Sequence, residues 1–436
     1  MTGTFAASCA ACSPIWQDGA ATLARLPAKP ARTPAEAAMA ARILAEGKAL
    51  RERFLADHAA HLYRLLTADL TRFVRIEQLV ADAAMLVPGL VPTAAAVAAE
   101  GGRRQADKDG VEIDQGLLLS YILADPVCGR HLCHAMRLPR PESEALLAQL
   151  QRDGAVDLPT ASVRRLGNAT LVLTRNPRFL NAEDEATLDD LEIAVDLATL
   201  DPATDAAVLR GDVVAHPRHA GRHVFSAGIN LTHLYHGRIS FLWYLRRDLG
   251  AVNKMFRGLA VPDAPPEDWR GATREKPWIA AVEGFAIGGG CQILLAMDYV
   301  LAARGAFMTL PARKEGIIPG AANLRLARFT GERIARQLIS YGRQLECDSP
   351  EGRLLCDQIA DPEAMDAVLA EVIDTLTSSG AVSLVGNRRA LRIGAEPADI
   401  FRSYMAMYAR EQAVCHFSPQ LIANLERHWR AQERRA

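Results

Sequence analysis

The sequence contains no long hydrophobic run and almost no excess charge. No stretch of eighteen apolar residues occurs, although half of the 436 residues are hydrophobic, so no transmembrane helix is expected. The formal net charge is −1 and basic residues form only short pairs, which argues against nucleic acid or an anionic membrane as the main partner. Lysine is scarce, with six among the fifty basic residues, and we interpret this as genomic base composition.

The sequence also shows neither the pattern of a signal peptide nor the cysteine spacing of a disulfide framework. The N-terminus lacks a positive region followed by an apolar core, so a cytoplasmic location is expected. Eight scattered cysteines favour free thiols in a reducing compartment. Cys9 with Cys12, and the CGRHLCH segment at 128–134, have the residue types of a metal site. Cys133 and His134 are adjacent, however, and would not face one metal from a regular helix, so we expect no metal.

The periodicity of apolar residues divides the chain into four regions. Thr33-Pro34-Ala35-Glu36 has the cap, the proline and the glutamate of a helix start, and apolar residues then recur at helical spacing to about residue 100. The segment from residue 419 is an amphipathic, arginine-rich helix to which the pattern assigns no function. We predict an irregular tail over 1–32, a helical domain over 33–154, an α/β core over 155–340 and a helical region over 341–436.

The α/β core is predicted from strands that alternate with helices. Residues 169–173, 206–209 and 278–282 are short apolar runs typical of buried strands. Between the first two runs, Leu188, Leu191, Val195 and Ala198 share one face of a helix. Strands separated by helices predict βαβ crossovers and a mainly parallel sheet.

Two glycine-bearing loops are the strongest functional signal. Residues 281–292 (AVEGFAIGGGCQ) predict a strand, a turn and three glycines that open a helix, and residues 225–230 (FSAGIN) lie between a strand and a helix about sixty residues earlier. Glycine lets the backbone approach a ligand closely, and a helix start leaves N–H groups free. Two such loops can hold one carbonyl oxygen, and each well-placed donor is worth roughly 10²–10³ in rate when negative charge develops there.

These motifs resemble the crotonase (enoyl-CoA hydratase/isomerase) superfamily over about residues 160–345. The matching segments are NPRFLNAE (176–183), FSAGINL (225–231), EKPWIAAVEGFAIGGGCQ (275–292) and PARKEGIIPGA (311–321). The resemblance implies a ββα spiral core, C-terminal trimerisation helices, an acyl-CoA substrate and a homotrimer or a dimer of trimers. It also implies an oxyanion hole made by the N–H groups of Ile229 and Gly289. The residues it places against substrate or CoA are Arg222, His223, Ala227, Gly228, Asn230 and Gly290.

Two departures from the family pattern change the expected chemistry. Hydratases of this superfamily carry one Glu just after GGGC and a second after the Pro of P-E-x-x-x-G, where this chain has Gln292 and Ala312. An amide cannot act as a general base and a methyl group has no proton to exchange, so a plain hydratase is not expected. With its long helical N-terminal extension, the chain resembles a branch that oxidises (3,5-dihydroxyphenyl)acetyl-CoA with O₂, without metal or flavin, for antibiotic biosynthesis.

The resemblance suggests roles for further side chains. Glu183 is expected to contact a ring hydroxyl or assist proton removal, and Arg247 or its neighbour Arg246 to bind a phenol or negative charge. Gln292 is expected to orient the substrate, and Glu315, one helical turn from the lost carboxylate, is a candidate to replace it. The base itself is left open. The apolar residues expected to form a dry pocket for O₂, with core packing as the alternative, are Ile229, Ile317, Ile318 and Pro319.

Other functions use the same motifs. A crotonase-fold isomerase, hydrolase or lyase would need the same oxyanion hole, and a non-catalytic acyl-CoA-binding protein could retain the loops after losing the carboxylates. The glycines match neither G-x-x-x-x-G-K-[ST] nor G-x-G-x-x-G, so a nucleotide-binding regulator is disfavoured.

Overall fold

The computed structural model describes residues 3–266 and 273–434 of the chain. The helices within these ranges are α1 (Phe5–Arg25), α2 (Pro34–Leu66), α3 (Ile76–Leu86), α4 (Ala94–Gly101), α5 (Ile113–Ala124), α6 (Pro126–Arg137), α7 (Pro141–Asp153), α8 (Glu185–Leu200), α9 (Leu231–Tyr235), α10 (Phe241–Leu249), α11 (Ala251–Arg257), α12 (Gly289–Leu294), α13 (Ala312–Glu315), α14 (Ala322–Tyr341), α15 (Met365–Thr377), α16 (Ala381–Ala395), α17 (Ala398–His416) and α18 (Pro419–Trp429). The strands are β1 (Ala155–Asp157), β2 (Ala161–Leu166), β3 (Ala169–Thr174), β4 (Ala206–Gly211), β5 (Leu259–Ala260), β6 (Thr273–Arg274), β7 (Trp278–Val282), β8 (Phe285–Ile287), β9 (Tyr299–Ala303), β10 (Phe307–Thr309), β11 (Gln344–Glu346) and β12 (Gln358–Ala360).

The central sheet has seven strands in the order β1-β2-β3-β4-β7-β9-β12. β1, β2 and β3 are antiparallel, whereas every neighbouring pair from β3 to β12 is parallel. A second sheet joins β11, β10 and β8, and β5 pairs with β6. The predicted strands β3, β4 and β7 and the predicted helix α8 are confirmed. Every residue of β4 and β7 is buried, as expected for central parallel strands covered on both faces.

Residues 1–32 are not an irregular tail, because α1 occupies most of this region. Its N-terminus is capped by Thr4, whose hydroxyl accepts a hydrogen bond from the Ala7 N–H. Trp16 is buried and packs edge-on against Phe54 of α2, with ring centroids 5.5 Å apart, a geometry worth about 0.5–1.5 kcal/mol beyond its buried area. The pattern concealed this helix because Pro14 lies inside it and its buried face includes serine.

The sheet also extends beyond the predicted core boundary at residue 340. β12 adds a parallel edge strand next to β9, and β11 pairs antiparallel with β10. The region 341–436 is therefore not entirely helical. Each of these strands is three residues long, which is too short for a recognisable period of two.

The predicted helical domain shares its core with the rest of the chain. One hydrophobic cluster joins α2, α3, α5 and α6 to α10 and α17. α5 and α17 approach closely, since a Cβ placed on Gly116 would lie 2.6 Å from Ala413 Cβ. The helix start at Thr33 is confirmed, with both hydrogen bonds of a capping box. The N-terminal helices therefore support α10, which carries Arg247.

The described residues contain no single helix that could cross a membrane and no cluster of side chains arranged to hold a metal ion. Within 3–266 and 273–434, no single helix is both long and apolar enough to cross a membrane. Only the pair Pro362–Thr377 and Ala381–Ala395, taken together across an 89° bend, reaches that length and composition. No group of three or more His, Cys, Asp or Glu side chains in the same ranges is arranged to hold a metal ion. His131 instead contacts the Tyr63 hydroxyl at 2.8 Å and the Leu70 carbonyl at 3.0 Å.

Candidate active site

The two glycine-bearing loops lie side by side. The Phe225 and Ser226 N–H groups donate to the carbonyls of Glu283 and Phe285, and the Ile287 N–H donates back to the Ser226 carbonyl at 3.0 Å. This pairing leaves no space for side chains at the crossing point. A Cβ on Gly290 would lie 2.8 Å from Ser226 Cβ. The glycines are therefore required by the close approach of two backbones.

Gly228 is the most constrained of these residues. Its φ is +78°, a region that disfavours residues with a Cβ, and a Cβ there would lie 2.6 Å from the Ile287 carbonyl oxygen. The same Cβ would lie 2.9 Å from the Gly289 nitrogen. Ile229 and the first residue of α12 are thus held close together by the fold.

The backbone orientation leaves two N–H groups available. Gly228 accepts a hydrogen bond from the Glu183 N–H at 2.7 Å, and the Asn230 N–H donates to the Glu183 carbonyl at 2.8 Å. The Gly228 carbonyl and the Ile229 N–H belong to the same peptide group and point in opposite directions. Because the carbonyl points toward Glu183, the Ile229 N–H points away from it. In the described parts of the chain neither the Ile229 N–H nor that of Gly289 has a protein acceptor. A substrate carbonyl oxygen would supply one.

A groove of about 650 Å³ is lined in part by Ile229, which carries one of these two donors. Its apolar lining also includes Leu180, Ala227 and Ile287. Helix α18 contributes Trp429, with the Arg434 guanidinium 3.8 Å from the centre of its ring. The basic side chains that line the groove are Arg178, His216, Lys314, His428 and Arg434. An apolar groove with basic groups suits a long thioester that carries phosphates.

Behind Ile229 and Gly289 lies a smaller chamber of about 20 Å³. Arg247 dominates it and is almost completely buried. Its Nε and Nη2 donate to the two carboxylate oxygens of Glu183 at 2.6 and 3.0 Å. Its Nη1 donates to Gln292 Oε1 at 3.0 Å and its Nη2 to the Gly289 carbonyl at 2.9 Å. The Glu183 carboxylate is the main favourable charge that holds the pKa of Arg247 above its ordinary value. The chamber therefore contains a fixed positive charge beside the glycine loop.

Glu315, at the end of α13, faces both cavities. It lines the groove and the chamber, as Ile229 does. A Cβ placed on Gly288 would lie 3.8 and 3.9 Å from its two carboxylate oxygens. Burial raises the pKa of Glu315 from 4.5 to about 7. A carboxylate of this kind is suited to proton transfer near neutral pH.

The structure brings together most of the residues singled out from the sequence. Ile229, Gly289, Arg247 and Gln292 line the chamber, as do two of the three remaining residues of the expected oxygen pocket, Ile317 and Ile318. Pro319 is buried but is not among the residues that form the lining. Arg246 is excluded as the alternative to Arg247, since it pairs with Glu77 and Asp189 away from the chamber.

Other predicted contacts are less direct. Glu183 is buried against Arg247 and lies outside the lining of the groove. Asn230 and Ala227 line the groove, although the Asn230 side chain also caps α9. Arg222 is exposed, and His223 contacts the Gly211 carbonyl at 2.9 Å, so both stand outside the groove's lining. Their proposed contact with CoA phosphates stays a prediction.

Sequence reasoning missed the groove residues of α18, and within the family motif at 176–183 it did not assign Arg178 or Phe179 to the groove. The amphipathic pattern of α18 is visible in the sequence, with Leu421 and Leu425 on its buried face. Such a pattern predicts that a helix covers something apolar, but it does not say which surface. Trp429 could therefore be assigned to the groove only from the folded chain.

Comparison with known proteins agrees with this geometry. The enoyl-CoA hydratase/isomerase family model matches residues 267–399. A crystal structure of an enoyl-CoA hydratase from Mycobacterium avium subsp. paratuberculosis superposes with a TM-score of 0.51 at 20% identity, covering 62% of this chain and 98% of that one, which indicates the same fold. The chain belongs to the enoyl-CoA hydratase/isomerase (crotonase) superfamily.

Within the superfamily, similarity extends over almost the whole chain to one kind of enzyme. The chain is 47% identical to the (3,5-dihydroxyphenyl)acetyl-CoA 1,2-dioxygenase of Amycolatopsis orientalis, over 92% of this chain and 91% of the relative. The short-chain-enoyl-CoA hydratase of Clostridium acetobutylicum is 27% identical over 55% of this chain and 83% of its own length. The similarity to the dioxygenase therefore includes the N-terminal helices, whereas the similarity to the hydratase covers about half of the chain.

Proposed function

We propose that this protein is a cofactor-independent dioxygenase that converts (3,5-dihydroxyphenyl)acetyl-CoA and O₂ to 3,5-dihydroxyphenylglyoxylate and CoA. The observation that carries the proposal is a retained oxyanion hole without the carboxylates of a hydratase. The N–H groups of Ile229 and Gly289 are available, whereas Gln292 and Ala312 occupy the positions of the two glutamates. The 47% identity to a dioxygenase of this substrate supports the same assignment.

The reaction needs an enolate and not an added redox group. Removal of one α-proton from an arylacetyl thioester places negative charge on the carbonyl oxygen, where two N–H donors stabilise it. The electron-rich enolate passes one electron to O₂, and the two radicals combine to a peroxide at the α-carbon. The peroxide attacks the thioester carbonyl and expels CoA as a thiolate. Cleavage of the O–O bond, with loss of the second α-proton, gives the glyoxylate, so both oxygen atoms of O₂ enter the product.

The chamber supplies what such a reaction requires from the protein. Its volume of about 20 Å³ is of the order of the roughly 10–15 Å³ needed by one water-sized molecule, and we propose that O₂ enters this space beside the enolate. Ile229, Ile317 and Ile318 provide apolar contacts for it. Arg247 places a positive charge near the developing superoxide and peroxide, and Gln292 is held by Arg247 in a position to orient a phenolic hydroxyl.

The groove is the proposed site for the rest of the substrate. Arg178, Lys314 and Arg434 suit the CoA phosphates, and Trp429 offers an aromatic face. We propose that the protein works in the cytoplasm as a homotrimer or a dimer of trimers, and that its product serves dihydroxyphenylglycine synthesis for an antibiotic.

The test is oxygen uptake by purified, metal-free protein given (3,5-dihydroxyphenyl)acetyl-CoA, with CoA and acid product measured in the same samples. We expect one O₂ consumed for each CoA and each glyoxylate, with both labelled atoms of ¹⁸O₂ in the acid. Activity should survive exhaustive chelation, because the substrate itself supplies the electrons. CoA release without oxygen uptake would identify a thioesterase, and tight binding without turnover would identify a binding protein.

A further inference from the structure

We propose that Glu315 is the base that removes the α-proton of the substrate, an inference that rests on the proposed function. The residue must satisfy three conditions: its carboxylate must reach the reacting carbon, it must be free of a permanent partner, and it must accept a proton near neutral pH. The structure addresses each of these conditions separately.

Position is the first condition. The α-carbon of a thioester is bonded directly to the carbonyl carbon, so it lies close to the two N–H donors. Glu315 and Ile229 are shared by the linings of the groove and of the chamber. The Glu315 carboxylate also flanks Gly288, the residue just before the second donor. It therefore stands at the junction where the α-carbon must lie if the carbonyl oxygen is in the oxyanion hole.

The other acids and phenols in or next to the chamber do not meet these conditions. Both oxygens of Glu183 accept hydrogen bonds from Arg247, so this carboxylate already has a permanent partner. Asp248 is fully buried and pairs with Arg247 Nη1 at 3.2 Å. Burial raises the pKa of Tyr244 and Tyr408 above the ordinary value of a phenol, which keeps both protonated. Each of these groups therefore fails one condition, because the two carboxylates have a permanent partner and the two phenols keep their protons.

Glu315 differs because its carboxylate is unengaged. In the part of the chain that the structure describes, no side chain or backbone N–H donates to it, and no basic group pairs with it. The residue is only 8% exposed. This burial without a partner is what raises its pKa to about 7, since the charged form loses its hydration. A buried carboxylate kept without a partner is costly, which is typical of a functional group.

The local sequence explains why the carboxylate is here. In the superfamily pattern the glutamate follows the proline, a position that Ala312 holds in this chain. Ala312 and Glu315 are the first and last residues of α13, and residues three apart lie on the same helical face. Gly316 then ends the helix with a φ of +84°. The carboxylate thus lies one turn further along the chain, where it lines both the groove and the chamber.

The proton transfer is balanced. The α-C–H bond breaks, its electron pair moves into the thioester carbonyl as an enolate, and the proton forms an O–H bond with a Glu315 oxygen. When the thioester later breaks, the CoA thiolate accepts that proton, which returns Glu315 to its charged form. No oxidant or reductant takes part in this step.

Exchange of the α-hydrogens tests the proposal without oxygen. Wild-type protein is incubated anaerobically with (3,5-dihydroxyphenyl)acetyl-CoA in D₂O, and deuterium at the α-carbon is followed by mass spectrometry. We expect exchange by the wild type, at least a 100-fold slower rate in Glu315→Gln, and an intermediate rate in Glu315→Asp. Glu332→Gln, which removes an exposed carboxylate, should exchange at the wild-type rate. Wild-type exchange in Glu315→Gln would overturn the proposal.

The pH profile provides a second readout if Glu315→Gln does not fold. A base acts in its charged form, so wild-type exchange should fall about tenfold per pH unit below an inflection at about 7. A rate independent of pH between 5.5 and 8.5 would refute the assignment. The two proposals fail separately: exchange that depends on Glu315 without oxygen uptake would remove the dioxygenase and keep the base. Oxygen uptake that is unchanged in Glu315→Gln would remove the base and keep the dioxygenase.

Discussion

Gly228→Ala is the perturbation that most directly tests the oxyanion hole. The added Cβ would lie 2.6 Å from the Ile287 carbonyl oxygen and 2.9 Å from the Gly289 nitrogen. Both atoms belong to backbone, so the two loops must move apart to relieve the contact. The positive φ of +78° adds about 1–2 kcal/mol of strain for a residue with a side chain. We expect kcat/KM to fall roughly 10²–10³-fold, the value of one misplaced donor.

A matched control separates this displacement from backbone strain. Gly305 has a φ of +81° and no atom within 4 Å of a Cβ, so Gly305→Ala suffers similar strain without moving the loops. Gly305→Ala should lose about 1–2 kcal/mol of stability in denaturant unfolding, and Gly228→Ala should lose more, because displacement of the loops adds to the same strain. Only Gly228→Ala should lose oxygen uptake and α-hydrogen exchange. Wild-type kcat/KM in Gly228→Ala, or an equal loss in both variants, would refute the reasoning.

Three further predictions concern the surroundings of the hole. Glu315→Gln should be more stable than the wild type at pH 8 and not at pH 4.5. In the wild type, the Glu315 carboxyl keeps its proton up to about pH 7 in the folded state but only up to 4.5 in the unfolded state. The free energy of unfolding of the wild type therefore falls as the pH rises between these values. At 1.36 kcal/mol per pKa unit, the gain in stability of Glu315→Gln over the wild type at pH 8 approaches about 3 kcal/mol, which urea unfolding can measure. Arg247→Met should abolish turnover and destabilise the fold by about 3–5 kcal/mol, because Glu183 is left charged and buried. A second change, Glu183→Met, should recover stability in unfolding measurements without recovering turnover. Trp429→Ala should raise the KM for the acyl-CoA about 2–10-fold with little change in kcat, the worth of one aromatic contact. Steady-state kinetics should show no effect of Arg427→Ala, an exposed neighbour.

Much of the α/β core is predictable because its signals are local. The runs that become β3, β4 and β7 are short and apolar between helical segments, and burial on both faces favours just such runs. The capping box at Thr33 is a contact between residues three apart, so it too is readable in the sequence. The short strand β12 cannot be predicted from the sequence, because it forms only by pairing with β9.

In the candidate site too, some features are predictable from the sequence and others only from the folded chain. The glycines predicted the loops, since close backbone approach excludes other residues. The choice between Arg246 and Arg247 could not be made from adjacent letters of equal charge. It was decided by the direction each side chain takes from α10, one toward Glu183 and the other toward Glu77.

By itself, the sequence determined the family, the two glycine-bearing loops and the loss of the hydratase carboxylates, because these depend on residue identity at fixed spacing. Only the tertiary structure decided which carboxylate remains unpaired. Glu183 and Glu315 are chemically identical side chains, and only their surroundings distinguish them. One lies against a buried guanidinium, and the other is desolvated between two cavities and has no partner among residues 3–266 and 273–434.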